Sequence, residues 1–462
     1  MRRQKAVTAA EPQKLKQVLL GGCFLLSMIL LLLYTSYVVS FSNSTLRSDQ
    51  EPPPPPVPHR PEEERKNPAE RLPQNPFCDF SNSRNDYCEM EGDIRIHGNS
   101  SSILFVAAPS NPNSTELQQS WKLKPHPRKG DARAMARVTE MSVKSSSPRH
   151  APRCGDDKHN SVPAILFSTG GYMGNFFHDF TDILIPIFTT SRQFKGEVQF
   201  MVSEILPQWN DKYRSILKPL TNYEIVDFNH DQRVRCRPRV IVGLKFHKDM
   251  SIDPSKPPHG LSMLDFGRFI RKSFELDRDT AIRLRPDQTK KKPRLLIIAR
   301  KWTRIFANVD EIVGKAQELG FEVVVAKANY GLAEFAKIVN SCDVMLGVHG
   351  AGLTNLVFLP TNAVVIQVVP LGGLEGISWV DFGVPTVSLG MNYLQYTVSV
   401  DESTLTEQFA RGDPVLSDQR EAYKKHGWDK MIELYFAKQG VKLDMERFGS
   451  SLLHALELLR RQ

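Results

Sequence analysis

Cys342–Pro360 reads CDVMLGVHGAGLTNLVFLP, and this stretch decides the fold. Val344 to Val348 is apolar on both faces, as a strand in the middle of a parallel sheet must be. It runs straight into His349-Gly350-Ala351-Gly352, and a helical pattern starts near Thr354 or Asn355. Glycines at such a strand-to-helix turn let the backbone approach a phosphate closely. The new helix adds free N–H groups and the positive end of its dipole. Thr354 and Asn355 can cap the helix or donate to a ligand. His349, at the carboxyl end of the strand, can bond a phosphate or ribose oxygen. The plain alternative is a tight turn whose glycines only satisfy geometry. The continuous apolar strand ahead of it favours a nucleotide site.

Outward from this turn the same grammar repeats. Leu295–Ala299, Phe321–Ala326 and Ala363–Val369 read as further buried strands, with helices at Val309–Leu319 and Leu332–Val339 between them. Upstream, strands are expected at Ala164–Phe167, Val198–Val202, Tyr223–Phe228 and Arg239–Leu244, and a helix at Phe176–Phe188. Residues 94–106 read as two short strands around a turn, and Lys122–Arg153 as a long basic surface segment. The polar link PDQTKKKPR (Pro286–Arg294) divides the two sets. Strands alternating with helices imply an α/β fold of two Rossmann-like units with parallel sheets, over 77–285 and 286–462, with the ligand between them.

Charge follows the expected strand ends. Arg300-Lys301-Trp302-Thr303-Arg304 comes directly after Leu295–Ala299, where open α/β sheets bind ligands. Arg300 and Arg304 can take a diphosphate bidentately, although a solvated loop fits the same residues. In Phe167–Phe188, Gly170, Gly171 and Gly174 precede a helix on which His178 and Asp182 stand four apart and so share a face, while Asp179 points elsewhere. A histidine–carboxylate pair can supply a general base held in one tautomer. Either His178 or Asp182 fits that role, with Asp179 as the remaining candidate, and a helix surface with a satisfied histidine is the bland reading. Glu375, in PLGGLEGISW after a strand, can bind ribose hydroxyls. Trp302, Trp209 and Tyr172 are candidates for stacking on sugar rings or for the core. Asp277-Arg278-Asp279 has the form of a metal-binding Asp-x-Asp, but SFELDRDTAIRLR reads as an amphipathic surface helix. No G-x-S-x-G elbow occurs, which weighs against a serine hydrolase.

The amino-terminal end sets the compartment. Val18–Val39 is a run of 22 residues without a charge, close to the ~20 needed to cross a hydrocarbon core. Arg2, Arg3, Lys5, Lys14 and Lys16 against Glu11 place +4 of the net +9 ahead of it. The sequence thus predicts a cytosolic basic tail over 1–17, a retained anchor over 18–39 and everything beyond on the luminal side. The charge left over is too dilute for a nucleic-acid surface but suits nucleotide diphosphates. Residues 40–76 carry the proline run PPPPPVP and the cluster PEEERKNP, a semi-rigid stem in extended polyproline II form. Sequons at Asn43, Asn99 and Asn113 support a luminal, glycosylated region. Cys23 sits in the apolar run, and five cysteines remain, an odd number. Cys78 and Cys88 flank a short polar loop and are candidates for a local disulfide. Cys342, opening an apolar run, is expected to be the free buried thiol, with the pairing of Cys154 and Cys236 open. The absence of a C-x-x-C pair argues against structural zinc.

Several segments together carry a resemblance. CDFSNSRNDYCEMEGDIRIHG, VPAILFSTGGYMGNFFHDFTDILIPIF, SIDPSKPPHG, LDFGRFIR and CDVMLGVHGAGLTNLVFLPTNAVVIQVVP resemble plant family 61 glycosyltransferases from about Phe77 to the carboxyl terminus. The family contains xylan arabinosyl- and xylosyltransferases, an N-glycan xylosyltransferase and, more distantly, O-GlcNAc transferases of the secretory pathway. The resemblance implies the two-Rossmann arrangement termed GT-B, with an acceptor-side unit at 77–285 and a nucleotide-sugar unit at 286–462. It also implies inversion at the transferred sugar and no required metal or other cofactor. Its His-x-x-x-Asp element falls on His178 and Asp182, its arginine pair on Arg300 and Arg304, and its His-Gly-Ala-Gly element on His349 to Gly352. The expectation is a type II Golgi membrane enzyme that moves xylose or arabinofuranose from a UDP-sugar onto xylan of the cell wall, singly or in an oligomeric complex. The alternatives are an N-glycan or protein O-linked glycosyltransferase and an inactive scaffold of a polysaccharide-synthase complex.

Overall fold

The computed structural model describes residues 77–106, 120–256, 258–285, 291–326 and 331–461. The Val18–Val39 run, the stem, Asn43 and Asn113 lie outside these residues. Among the described residues, no helix is long and apolar enough to cross a membrane. Asn99 is described and exposed, on the turn after a strand.

All of the described residues fall in one compact unit, Arg71–Gln462, which contains two sheets. The first has nine strands: β1 (Phe77–Asp79), β2 (Tyr87–His97), β3 (Ser102–Val106), β4 (Ser120–Leu123), β5 (Met141–Ser146), β6 (Ala164–Ser168), β7 (Gln199–Ser203), β8 (Val226–Asp227) and β9 (Val234–Val242). Their order is β4-β5-β3-β2-β9-β6-β7-β8, with β1 on β2. Strands β9, β6, β7 and β8 run parallel, whereas β2 is antiparallel to β9, β3 and β1. The sheet is therefore mixed, where the sequence pattern pointed to a parallel one. Lys122–Arg153, expected as a surface segment, contributes β4, a short helix and β5. Met141 and Val143 alternate inward to a satellite core with Ile94, Ile96 and Ile103. Short strands buried on one face give too weak a period to stand out from their polar neighbours.

The second sheet is wholly parallel: β10 (Arg294–Ile298), β11 (Glu322–Ala326), β12 (Val344–Val348), β13 (Val364–Val369) and β14 (Asn392–Thr397), in the order β11-β10-β12-β13-β14. Every residue of β12 and β13 is buried, as their unbroken apolar runs require. A continuous core joins the β6–β7 region to the β10–β13 region through Phe180, Phe266 and Phe358.

Chain order locates a switch point in each sheet. In the second, the chain leaves β10 for β11 on one side and returns to β12 on the other, opening a crevice at the carboxyl ends of β10 and β12. In the first, it leaves β6 for β7 and β8, then returns to β9, opening a crevice between β6 and β9. Cys78–Cys88 and Cys154–Cys236 are disulfides, and Cys342 is free and buried, its thiol pushed up to about 11 mainly by burial. The 82-residue separation of the second pair left no local signal. Ser273–Arg285 is not the expected helix. The helix Met263–Ser273 ends there, and the rest crosses to the second sheet, where Arg278 pairs with Asp343 and Asp279 O accepts from Thr361 N.

Candidate active site

Two clusters occupy the two switch points. In the second sheet, Gly350 follows β12 with φ +137°, a conformation only glycine takes easily. A Cβ placed there would lie 2.8 Å from Arg304 Nη1 and 3.0 Å from Arg300 Nη1. Both guanidiniums, carried by the loop after β10, thus cover the bare backbone of the turn. Arg300 donates through Nε and Nη2 to the carbonyl and hydroxyl of Thr303, each at 2.8 Å. Arg304, held at φ +51°, stacks 5.2 Å over the Phe436 ring, and its buried Nε has no partner. No carboxylate among the described residues neutralises either one. Burial lowers both, Arg304 to about 10 with a further push from Arg300. Two adjacent cations without an anion are costly in a protein interior and mark an anion site.

The expected helix after the glycines begins earlier and is tighter: Ala351–Phe358 is a 3₁₀ helix. Asn355 Nδ2 donates to Gly352 O at 2.9 Å, inside the turn, whereas Thr354 Oγ1 is buried without a partner. His349 is 3% exposed. Burial first, then Arg304 and Arg300, pushes it down to about 3, so the ring is neutral at working pH. Its Nδ1 lies 2.8 Å from Gln367 Nε2 and 3.2 Å from Ser378 Oγ. Glu375 is exposed at the start of the short helix that carries Ser378, on the rim of this cluster and outside its bonds.

In the first sheet, Asp182 lies in a wide-turned π-helical stretch, Asp179–Leu184, and is 1% exposed. Arg128 Nε contacts both of its carboxylate oxygens, at 2.8 and 3.0 Å, and Nη2 reaches Oδ1 at 2.7 Å. His178 Nδ1 is 2.9 Å from Oδ2. Burial would raise the Asp182 pKa, but the His178 hydrogen bond and the Arg128 charge outweigh it and hold the carboxyl below its usual range. An ionised carboxylate only accepts, so His178 Nδ1 donates to it, and Nε2 is the ring nitrogen left outside this bond. Asp182 is thus held on both sides, by Arg128 and by His178, and has no face turned to solvent. Asp179 is fully buried and accepts from Tyr213 Oη at 2.6 Å, Trp209 Nε1 at 2.9 Å and Gly174 N at 3.0 Å. Trp209 is consequently a core residue and no stacking surface. Tyr172 lies with its ring 4.5 Å from His178 and its hydroxyl on Asp131, while Trp302 is 89% exposed beside the arginines.

The clusters adjoin. The helix Phe176–His178 packs on Ala351–Phe358, and Phe382 bridges Phe177 (5.5 Å between ring centroids) and His349 (5.6 Å). Among the described residues Asp279 pairs with Arg271 alone, at 3.1 Å. Among the described residues no group of three His, Cys, Asp or Glu side chains is placed to hold a metal ion.

Comparison with known proteins follows this geometry closely. The glycosyltransferase 61 family profile matches residues 174–366, from just before His178 to the middle of β13. Alpha-1,3-arabinosyltransferase XAT2 of Oryza sativa subsp. japonica is 47% identical over 84% of this chain and 65% of its own length. Beta-1,2-xylosyltransferase XYXT1 of the same rice is 47% identical over 83% of this chain and 84% of its own length. The chain belongs to glycosyltransferase family 61. It spans about two thirds of the length of XAT2. Xylan glycosyltransferase MUCI21 of Arabidopsis thaliana is 34% identical over 82% of this chain and 78% of its own length. Of solved structures, the iron-containing heptosyltransferase TibC matches 52% of this chain and 63% of its own at 10% identity with a TM-score of 0.23, too slight a likeness to argue from.

Three residues of this family 61 chain escaped the sequence reading. Arg128 sits in the basic stretch taken as surface. Asp249, after β9, pairs with Arg84 at 2.8 Å and Arg128 at 3.1 Å. Asp381, beside Phe382, stands in the field of Asp249, Arg128 and Arg84, and burial with the Asp249 charge pushes it up to about 7. None has a motif around it: the partners of Arg128 and Asp249 are 54 to 165 residues away in the chain, and the charges around Asp381 also come from distant segments.

Proposed function

We propose that this protein is an inverting glycosyltransferase that moves a pentose, xylose or arabinofuranose, from a UDP-sugar onto xylan, from the luminal side of the Golgi membrane. The observation that carries the reading is the pair of guanidiniums over Gly350, at a topological switch point, that no carboxylate among the described residues neutralises. A nucleoside diphosphate brings the negative charge those cations lack, and the GT-B arrangement would set it on the second sheet. The names of XAT2, XYXT1 and MUCI21 support the pentose and the xylan acceptor.

In the proposed reaction an acceptor hydroxyl oxygen attacks the anomeric carbon from the face opposite the diphosphate. The new carbon–oxygen bond forms as the bond to the β-phosphate oxygen breaks. His178 Nε2 takes the hydroxyl proton, and Asp182 holds the ring and stabilises the imidazolium. Charge growing on the leaving diphosphate meets Arg300, Arg304 and the Gly350–Asn355 turn. Two arginines here supply the positive charge a divalent ion would otherwise bring, so turnover without metal is part of the proposal.

The test is transfer by the detergent-solubilised full-length chain from a panel of nucleotide sugars to xylo-oligosaccharides, with and without chelator. Pentosyl-xylan product from a UDP-pentose, undiminished by chelator, is expected. Transfer only of N-acetylglucosamine to a protein glycan, or complete loss in chelator restored by manganese, would overturn the respective part. Endoglycosidase should lower the mass of the microsomal protein; no shift would overturn the luminal placement.

A further inference from the structure

His349 does not stand alone behind the glycine turn. A hydrogen-bonded chain reaches it from the edge strand of the second sheet. Tyr393 in β14 donates its hydroxyl to Gln367 Oε1 in β13 at 2.9 Å, and Gln367 Nε2 donates to His349 Nδ1 at 2.8 Å. Gln367 is fully buried, and the Trp379 ring meets the Tyr393 ring edge-on at 5.4 Å. Gln395 Oε1, 3.1 Å away, is the competing acceptor for the phenol proton.

The chain has a direction, because an amide accepts at one end and donates at the other. Burial keeps Tyr393 a phenol, so it serves as the donor. With the phenol proton on Gln367 Oε1, the shorter of its two contacts, the carbonyl of Gln367 faces Tyr393 and its amino group faces His349. An amino group cannot accept, so His349 Nδ1 is bare. With the ring neutral, its single proton sits on Nε2, the nitrogen that has no protein partner among the described residues.

We infer that Tyr393 and Gln367 are positioning residues that fix His349 as its Nε2–H tautomer, so that a neutral histidine donates a hydrogen bond to the diphosphate beside Arg300 and Arg304. The inference rests on the diphosphate reading of the turn. It explains why a polar glutamine occupies a strand that is otherwise entirely valine and isoleucine. The turned-over amide would leave Nε2 as a lone pair facing the anion, a repulsive arrangement.

Nitrogen NMR of the ligand-free full-length chain with labelled histidine reads the tautomer without any nucleotide, with His349→Ala providing the assignment. Protonated Nε2 and bare Nδ1 are expected. Tyr393→Phe, which keeps the ring against Trp379, should blur that signature and weaken UDP binding by ~2- to 10-fold, the span of one net hydrogen bond. Gln367→Glu turns Nδ1 into a donor toward a carboxylate and favours the imidazolium. UDP binding should then tighten as pH falls from about 8 to 5, relative to the unmutated chain. A proton found on Nδ1 in the unmutated chain, or a tautomer and UDP affinity untouched by Tyr393→Phe, would overturn the proposal even should Gln367→Glu not fold. A correct tautomer with no UDP binding at all would instead sink the diphosphate reading, and with it the stated purpose of the relay.

Discussion

The two crevices handle charge in opposite ways. At the first sheet, each buried charge is answered: Arg128 by Asp182 and Asp249, Asp182 by Arg128 and His178. At the second, Arg300 and Arg304 face each other with no carboxylate among the described residues to answer them. A saturated cluster is built to stay as it is and to present one nitrogen, His178 Nε2, in a fixed direction. An unsaturated cluster waits for a ligand and gives up some stability until the ligand arrives. On the proposed reading, binding and proton transfer are separated onto two sheets, and substitutions should separate in the same way.

The largest effect belongs to the fixed nitrogen. His178→Gln should cut turnover by about 10²–10⁴-fold, the usual span for a general base, and leave UDP affinity within about twofold, as read by single-turnover rates beside calorimetric titration. Near-normal turnover would move the base elsewhere, with Asp381 first in line. Asp182→Asn comes next and acts mainly on the fold. Removing one member of a buried ion pair typically costs ~3–5 kcal/mol, so its thermal midpoint should drop sharply while UDP still binds. Should Asp182→Asn keep its midpoint and lose only turnover, the saturated-cluster picture fails.

Arg300→Met inverts that pattern. In the proposed reaction the guanidinium would contact the diphosphate in both ground and transition states and gain as charge develops, so its loss should weaken UDP binding and slow turnover together, by ~2–4 kcal/mol of transition-state stabilisation. The ligand-free protein should hold or raise its thermal midpoint, because a half-buried cation that repels Arg304 is gone. A drop comparable to that of Asp182→Asn would mean that the arginines are structural.

What the sequence disclosed follows from the same contrast. Strands β10, β12 and β13 were legible because burial on both faces writes an unbroken apolar run. The turn after β12 was legible because glycine, histidine and the flanking strand are contiguous. The arginine pair followed from its place after β10. Arg128, Asp249 and Asp381 were not legible, because only tertiary folding brings them together. The choice between His178 and Asp182 was equally out of reach. Both stand on one helical face, and what separates them is Arg128, 54 residues upstream of Asp182. The Ser273–Arg285 segment misled for a related reason: its amphipathic period is real, but bonds to Asp343 and Thr361 across the crossover outweigh local helix propensity.

The smallest predicted effect concerns Asp381, the carboxyl on the second-sheet side that looks toward the saturated cluster. Burial and the Asp249 carboxylate, against Arg128 and Arg84, push it up to about 7 from 3.8. Between about pH 4 and 7 the native chain keeps this proton while the unfolded chain has released it. The unfolded state then binds fewer protons, and stability falls as pH rises through that window. Asparagine has no proton to keep. Asp381→Asn should match the unmutated chain near pH 4 and exceed it above pH 7, by on the order of 1–2 kcal/mol once solvent screening at an open crevice is allowed for. His349 works in the reverse sense, since a histidine held down to about 3 makes stability rise with pH from about 3 to 6.5. That contribution is common to both proteins and cancels in the difference. Thermal midpoints of the pair, measured from pH 4 to 8, decide the matter. A difference that is flat with pH would mean that Asp381 ionises at its ordinary value and does not link the two crevices electrostatically.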